Sequence, residues 1–316
     1  LILASVPLAL HLWAALPQSF DGFDPASLQG RRVLVCGASA GIGEQLVYEY
    51  AKLGAHVAAL ARTESELKRV AAKARELGAA SATPIVADVS SLEGARAAMG
   101  STLRAEGFEG GLDALVLNHV VGFWGWLLPD NLTSTEVGEL GTLSERIKGG
   151  FGKVDQIMRV NALSYMYLAT LAAPALARSG AAASGSGGGG QMIVVSSAAG
   201  KLGLPQVAPY SASKHALHGF FDSLRLEIVE KKLPITVTVC VLGNIDTEAN
   251  RKNTEGSLKY APERAPADET ALAILRGGAT RQREIYYPLS QGLHVMSLLR
   301  PIAPSLIDRV LLLVAA

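Results

Sequence analysis

Short apolar runs alternate with helical stretches along most of this chain, and this alternation limits the possible folds more than any other feature. Helical spacing is clear in residues 44–54 and 64–78, which separate successive apolar runs. The predicted strands are Val33–Cys36, His56–Leu60, Ala82–Val86, Ala114–Asn118, Met192–Ser196, Ile235–Val241 and Glu284–Tyr287. Their nearly all-apolar composition is typical of strands buried on both faces. We therefore predict an α/β fold: a Rossmann-type, doubly wound parallel sheet of about seven strands with helices on both faces.

Two longer connections interrupt this alternation. Residues 122–152 exceed the usual length of a connection between two elements. Residues 179–190, "SGAAASGSGGGG", consist only of Ser, Gly and Ala, and this composition predicts a flexible linker.

Composition divides the chain into four predicted segments. Residues 1–20 form an apolar, anchor-like segment, 21–30 a polar linker, 31–290 the α/β domain, and 291–316 an apolar extension. The first sixteen residues contain no Asp, Glu, Lys or Arg, although a helix needs about 20 residues to span a bilayer. A signal-anchor is the favoured interpretation, with a cleaved signal peptide and a surface or buried helix as alternatives.

Charge and cysteine content argue against several classes of function. The formal net charge is +1 and no long basic run is present, so binding to nucleic acid is not expected. Cys36 and Cys240 both lie in apolar strand-like runs, where a thiol usually acts as a small buried side chain. None of the six histidines has the spacing of a metal ligand, so no metal site is predicted.

A strand, three glycines and a helix start follow one another in residues 33–50, "VLVCGASAGIGEQLVYEY". Gly37, Gly41 and Gly43 allow the backbone to approach a ligand closely, and a pyrophosphate can then bind the amide groups at the helix start. Arg62 and not an acidic residue follows the second predicted strand, which favours a ribose 2′-phosphate and therefore NADP(H). An arginine that merely caps an exposed loop is the alternative.

The stretch "PYSASKHALHGF", residues 209–220, places Tyr210 and Lys214 one helical turn apart on the same face. Such a pair is usually an ordinary surface feature, but Ser197 ends a predicted strand thirteen residues before Tyr210. A phenol has a pKa near 10 and is a poor base at neutral pH. A nearby ammonium lowers that pKa, so we predict Tyr210 as an acid/base that Lys214 tunes.

Taken together, these motifs resemble the short-chain dehydrogenases/reductases over residues 30–290. Further stretches resemble the 11β-hydroxysteroid dehydrogenase branch of that family: "FDPASLQG", "LNH", "IVVSSAAGK", "YSASKHALHGFF" and "CVLGNIDTE". The resemblance implies that Tyr210 is the acid/base and that Lys214 also binds the nicotinamide ribose. It implies that Ser197 binds the substrate oxygen and that Asn161 holds a water in the proton relay.

The resemblance also implies a set of cofactor-binding residues. The expected NADP(H) site consists of Gly37, Ser39, Gly41, Ile42, Gly43, Arg62, Asp88, Val89, Asn118, Tyr210, Lys214, Ile245 and Thr247. Asp88 would lie near the adenine, Asn118 would stabilise the central strand, and Ile245 and Thr247 would cover the nicotinamide. Ala40 departs from relatives that have a lysine against the 2′-phosphate, and Leu204 stands where the steroid enzymes have a tyrosine.

These features predict an NADP(H)-dependent oxidoreductase that interconverts a hydroxyl and a ketone on a steroid-like lipid. The alternatives are the same chemistry on retinoids or xenobiotic carbonyls, and a cofactor-binding regulatory protein without turnover. The resemblance further implies an endoplasmic reticulum membrane protein with a lumenal catalytic domain, assembled as a homodimer or homotetramer. A glycosylation sequon at Asn131 is compatible with a lumenal domain.

Overall fold

A computed structural model describes residues 20–127, 152–182, 189–254 and 263–315 of the chain. The strands are β1 Arg32–Cys36, β2 His56–Ala61, β3 Ser81–Val86, β4 Ala114–Leu117, β5 Gly190–Ser197, β6 Ile235–Leu242, β7 Ile245–Asp246, β8 Ala265–Pro266 and β9 Glu284–Tyr287. The helices are α1 Gly41–Lys52, α2 Glu64–Glu76, α3 Leu92–Leu103, α4 Ser164–Ala182, α5 Ala208–Glu230, α6 Glu248–Thr254, α7 Ala267–Ala279, α8 Leu293–Leu299 and α9 Pro304–Ala315.

Seven strands form one parallel sheet in the order β3-β2-β1-β4-β5-β6-β9. All seven correspond to the strands predicted from the sequence, so the doubly wound α/β fold is confirmed. The strand order reverses between β1 and β4, and the loops that leave these two strands therefore diverge to opposite faces of the sheet. In such sheets the crevice at the carboxyl ends of the diverging strands is the usual ligand site.

Helices cover the sheet on both faces and create two separate apolar cores. Helices α1, α2 and α7 pack on one face, with Leu46, Leu67 and Ile274 fully buried among residues of the strands. Helices α3, α4 and α5 pack on the other face and bury, among others, Leu168 and Phe221. Cys36 and Cys240 are buried and unpaired, on strands β1 and β6 that are not neighbours in the sheet.

The predicted linker at 179–190 is shorter than its composition suggests. Helix α4 continues to Ala182 and strand β5 begins at Gly190, while residues 183–188 lie outside the described part. The buried Ser179 explains the longer helix, because its hydroxyl accepts hydrogen bonds from Arg32 Nη2 at 3.0 Å and from the Leu112 amide at 3.2 Å. These two hydrogen bonds hold the end of α4 in place, so the helix extends into residues whose composition predicted a linker.

The described residues contain one helix that is long and apolar enough to cross a membrane, Gly152–Ser179. Half of its most apolar window is buried inside the protein, as in the core helix of many folded domains. The predicted anchor-like segment 1–20 lies outside the described residues, apart from Phe20.

At the other end of the chain, α9 packs Ile307 and Leu311 against the buried Leu202.

A charged cluster fastens the amino ends of the central strands, at the edge opposite the crevice. Asp113 accepts hydrogen bonds from Arg32 Nε at 2.8 Å, Arg32 Nη2 at 2.9 Å and the Arg32 amide at 2.9 Å. Burial alone raises the pKa of Asp113, but the hydrogen bonds and charge of Arg32 outweigh it and hold that pKa below its usual range. These three hydrogen bonds tie the start of β1 to the residue before β4.

We expect Asp113→Asn to lower the free energy of unfolding by about 2 kcal/mol, because it leaves a partly buried guanidinium without its carboxylate. Chemical denaturation of both proteins measures the difference. Glu64→Gln is the matched control, since Glu64 forms an exposed pair with Lys68 on α2 and should leave unfolding unchanged. Equal effects of the two substitutions would contradict a structural role for Asp113.

Candidate active site

The turn between β1 and α1 is shaped by backbone contacts that exclude side chains. Gly37 has φ +80°, and a Cβ there would lie 2.6 Å from the His119 Cα. A Cβ on Gly43 would lie 2.0 Å from the Gly37 carbonyl oxygen. Gly41 has φ +58°, and its missing Cβ would lie 3.2 Å from Thr247 Cγ2. The three glycines therefore let the turn close tightly beneath the start of α1.

This turn leaves the first amide groups of α1 open toward the crevice. Ala40, at the helix N-cap, supplies no side-chain cap to these amides. Ser39 and Ile42 beside it are both partly exposed. Amides at a helix start attract anions, and the turn of residues 37–43, which we call the glycine cradle, leads into such a start. The residues therefore fit the pyrophosphate of a dinucleotide.

Arg62 and Asp88 follow the ends of β2 and β3, next to this cradle. Asp88 Oδ1 accepts a hydrogen bond from the Ser90 amide at 2.9 Å. That bond is the main cause that lowers the pKa of Asp88, and the nearby charge of Arg62 lowers it further. Arg62 and Asp88 are both exposed, whereas Val89 is buried. Two charged groups of opposite sign thus face solvent beside the cradle.

Two further predicted positions meet the same turn. Asn118, directly after β4, donates from Nδ2 to the Gly37 carbonyl oxygen at 3.3 Å. The β7 segment brings Ile245 and Thr247 over the turn, where Ile245 is buried and Thr247 partly exposed. Chain segments that follow β1, β2, β3, β4 and β6 therefore converge on one edge of the sheet.

Ser197, Tyr210 and Lys214 lie together at the carboxyl end of β5. Ser197 ends β5, and its hydroxyl is a hydrogen-bond partner of the Tyr210 phenol in the first turn of α5. Lys214, one turn later, is buried and donates from Nζ to the Val195 carbonyl at 2.9 Å. Its Nζ lies 5.8 Å from the centroid of the Tyr210 ring and 5.3 Å from that of Tyr165.

The electrostatics of this group differ from the sequence-based expectation. Burial lowers the pKa of Lys214 to about 7, so its ammonium loses a proton more readily than that of a free lysine. Desolvation raises the pKa of Tyr210, and the hydrogen bond with Ser197 opposes this only in part. Lys214 is not among the causes of this pKa shift, so the lowering of the Tyr210 pKa by Lys214 stays a prediction. The Lys214 ammonium is directed at the Val195 carbonyl oxygen.

Asn161 lies in a π-helical turn, Arg159–Leu163, that leads into α4. Its side chain pairs with the backbone of Val121: Oδ1 accepts from the amide at 2.8 Å and Nδ2 donates to the carbonyl at 2.9 Å. Nδ2 also lies 3.3 Å from Ser213 Oγ, whose hydroxyl donates to the Tyr210 carbonyl at 2.7 Å. Asn161 thus links the loop after β4 to the helix of Tyr210, while its role in a proton relay stays a prediction.

His119 and Ser164 were not singled out from the sequence. His119 Nε2 lies 2.6 Å from Ser164 Oγ, and the Tyr165 hydroxyl donates to the His119 carbonyl at 2.7 Å. Burial lowers the pKa of His119 to about 3, so its ring is neutral. His119 belongs to the quoted stretch "LNH", but nothing in its local pattern shows that its ring contacts the start of α4.

The glycine cradle lies where the strand order reverses, and the Ser-Tyr-Lys group lies beside it. This combination is typical of dinucleotide-dependent oxidoreductases of the short-chain type. The profile of the family described as "short chain dehydrogenase" matches residues 31–257, and the chain belongs to this family. The proteins of this family use a nicotinamide cofactor.

Two curated relatives, each called "Hydroxysteroid 11-beta-dehydrogenase 1-like protein", extend the similarity. The one from Xenopus tropicalis is 39% identical over 268 residues, which cover 85% of this chain and 82% of that protein. The one from Gallus gallus is 40% identical over 273 residues, again 85% and 82% of the two chains. A solved short-chain type dehydrogenase/reductase from Mycobacterium marinum shares the fold, with a TM-score of 0.63 at 24% identity, over 82% of this chain and 94% of that one.

The buried ammonium predicts a pH-dependent stability. The pKa of Lys214 is about 7 in the folded chain and 10.5 as a free group, so the unfolded chain binds its proton more tightly. The contribution of Lys214 to stability is therefore gained as pH rises from about 7 toward 10.5. Relative to Lys214→Met, we expect the unfolding free energy of the parent to rise by about 2 kcal/mol between pH 7 and pH 9.

Urea denaturation of both proteins at the two pH values measures this difference. Lys68→Met on the exposed face of α2 serves as the control and should follow the parent at both pH values. If Lys214→Met also followed the parent, the ammonium would not be desolvated in the folded protein.

Proposed function

We propose that the protein is an NADP(H)-dependent oxidoreductase that interconverts a hydroxyl and a ketone on a steroid-like lipid. The observation that carries this proposal is the contact of Ser197 with the Tyr210 phenol, one turn from the buried Lys214 and beside the glycine cradle. A surface tyrosine–lysine pair would lie in water, whereas Lys214 is buried and Tyr210 contacts a serine at a strand end.

Each residue of the group has a chemical task in the proposed reaction. In ketone reduction the Tyr210 hydroxyl donates a proton to the substrate oxygen, and in alcohol oxidation the Tyr210 oxygen accepts it. Ser197 donates a hydrogen bond to the same substrate oxygen and stabilises its developing negative charge. The charged form of Lys214 stabilises the Tyr210 phenolate. The glycine cradle, Asn118, Thr247 and the neighbouring positions would hold NADP(H), which would supply or accept the hydride.

The preference for NADP(H) rests on Arg62. Its guanidinium is exposed beside Asp88, at the position where a ribose 2′-phosphate is bound in dinucleotide folds. Asp88 forms an Asx-type bond to the Ser90 amide. Ala40 adds no second charge at the cradle.

The substrate class rests on the relatives' names, both of which contain the words "Hydroxysteroid 11-beta-dehydrogenase". A panel of steroids, retinoids and xenobiotic ketones, each assayed with NADPH and NADP, separates the proposed class from its alternatives.

We expect Tyr210→Phe to reduce turnover by about 10²-fold or more while NADPH binding stays nearly intact, since only the proton donor is removed. Turnover is followed by NADPH absorbance, and binding by the change in NADPH fluorescence. Tyr167→Phe on α4 is the control and should retain full turnover. Near-parental turnover by folded Tyr210→Phe would rule out the proposed acid/base.

We expect Arg62→Ala to weaken NADPH binding by about tenfold and to leave NADH binding nearly unchanged, because only NADPH carries the 2′-phosphate. One charged hydrogen bond contributes roughly 1.5–3 kcal/mol, and tenfold corresponds to about 1.4 kcal/mol. Titration of both cofactors into the parent, Arg62→Ala and the control Lys73→Ala measures the effect. A parent that prefers NADH, or an equal loss for both cofactors, would reduce Arg62 to a loop residue.

We further propose that residues 1–20 attach the protein to the endoplasmic reticulum membrane with the catalytic domain in the lumen.

We also propose that the protein assembles as a homodimer or homotetramer. The exposed Leu226 and Val229 of α5, each 69% accessible, support self-association because such side chains are usually covered in an assembly.

Removal of residues 1–20 tests the membrane attachment. We expect the full chain to resist alkaline carbonate extraction from microsomes, and the shortened chain to be extracted more readily. Leu312→Ser in the full chain is the control, because it changes an exposed apolar residue of α9 without altering the first segment. Complete extraction of the full chain would contradict an anchor.

A further inference from the structure

A polar chain of side chains lies directly behind Ser197 and has no part in the chemistry described above. The buried Ser196 Oγ lies 3.0 Å from His218 Nε2, and His218 Nδ1 lies 3.6 Å from Glu284 Oε1. Glu284 Oε1 also pairs with Lys201 Nζ at 2.7 Å, and its Oε2 accepts from the Tyr286 hydroxyl at 2.9 Å. A chain of contacts therefore runs from β5 through α5 to the Glu284 carboxylate on β9. Lys201, in the segment after β5, contacts the same carboxylate.

The position of this chain relative to the catalytic group is specific. Ser196 precedes Ser197 on β5, and His218 lies four residues, one helical turn, after Lys214 on the same face of α5. Lys214 bonds to the carbonyl of Val195 and His218 to the hydroxyl of Ser196. Two consecutive residues of the strand are therefore held by two consecutive turns of the helix.

The surroundings of His218 leave little room for adjustment. A Cβ on Gly200 would lie 2.9 Å from Ser196 Oγ, 2.9 Å from the Lys214 carbonyl oxygen and 3.0 Å from His218 Cδ2. The turn Ala198–Gly200 therefore packs directly over the contact between the strand and the helix. Any displacement of His218 would also displace Ser196 or this turn, and Ser197 lies between the two.

The charges around His218 define the state of its ring. Burial, followed by the charge of Lys201, lowers the pKa of His218 to about 3, so the ring is neutral at neutral pH. With the proton on Nδ1, the N–H is directed at the Glu284 carboxylate, and Nε2 accepts a hydrogen bond from the Ser196 hydroxyl. Asp222, His215 and Lys214 are the other titratable groups that act on the ring.

We propose that His218 is a positioning residue that, through Ser196, fixes Ser197 at the distance from Tyr210 and Lys214 that turnover requires. This inference rests on the proposed function of those three residues. The β5–β6 ladder, in which Ser197 lies opposite Leu242, fixes the strand backbone. Lys214 attaches α5 to this strand at Val195, and the His218–Ser196 contact attaches it at the next residue, which fixes the distance between the helix and the strand end. Glu284 in turn orients the ring of His218.

Three substitutions test the contact, with kcat expressed per bound NADPH. His218→Leu removes the hydrogen bond, His218→Gln keeps an acceptor near the position of Nε2, and His215→Leu changes an exposed histidine of the same helix. We expect kcat to fall about tenfold in His218→Leu, with NADPH affinity within twofold of the parent. His218→Gln should recover most of the loss, and His215→Leu should match the parent.

A double-mutant cycle identifies the path of the effect. Ser196→Ala should lower kcat about as much as His218→Leu, and the two together should cost little more than either alone, because both remove one contact. Additive losses, equal losses in His218→Leu and His218→Gln, or a parental kcat in His218→Leu would each overturn the proposal.

Hydrogen exchange tests the positioning without turnover and so separates it from the proposed function. Amides of residues 195–200 should exchange faster in His218→Leu than in the parent and in His215→Leu. A parent without turnover on the whole substrate panel would reject the proposed function, and the exchange rates would still decide whether His218 holds the strand end. Unchanged exchange in His218→Leu would reject the positioning itself.

Discussion

Burial of the sheet on both faces is the constraint on which the rest of this structure depends. Strands such as β1 and β4 have no solvent-facing side, so they cannot carry polar side chains along their length. In β1 and β4, polar chemistry is therefore confined to the strand ends. At the amino ends it takes a structural form in the Arg32–Asp113 pair, and at the carboxyl ends it forms the candidate site.

The carboxyl edge combines backbone groups with very few buried charges. The glycine turn presents amides whose positions are set by contacts with His119 and Asn118, so it requires no charged side chain of its own. Lys214 is the exception: a buried ammonium directed at one carbonyl. Desolvation lowers its pKa to about 7, far below that of an exposed lysine. The packing of α5 on β5 offsets the free energy needed to bury this ammonium.

Local sequence patterns predicted the strands because a buried parallel strand needs a continuous apolar run, and all seven runs became strands. The positions gathered at the crevice were also predictable, since parallel topology brings every strand end to one edge. Pairings between distant segments were not. Ser179 against Arg32, His119 against Ser164, and Ser196 with His218 and Glu284 join residues 22 to 147 positions apart. Periodicity along the chain carries no information on such partners.

The pairing of Asn161 with Val121 has a consequence for the chemical ageing of the protein. One amide side chain offers a donor and an acceptor to the backbone, as a neighbouring strand would. Deamidation to aspartate would exchange the N–H donor for a second acceptor and place two oxygens of like partial charge against each other at the Val121 carbonyl. The loop after β4 would lose this attachment without any change in side-chain size. Both the donor and the acceptor of this attachment therefore come from a single amide group.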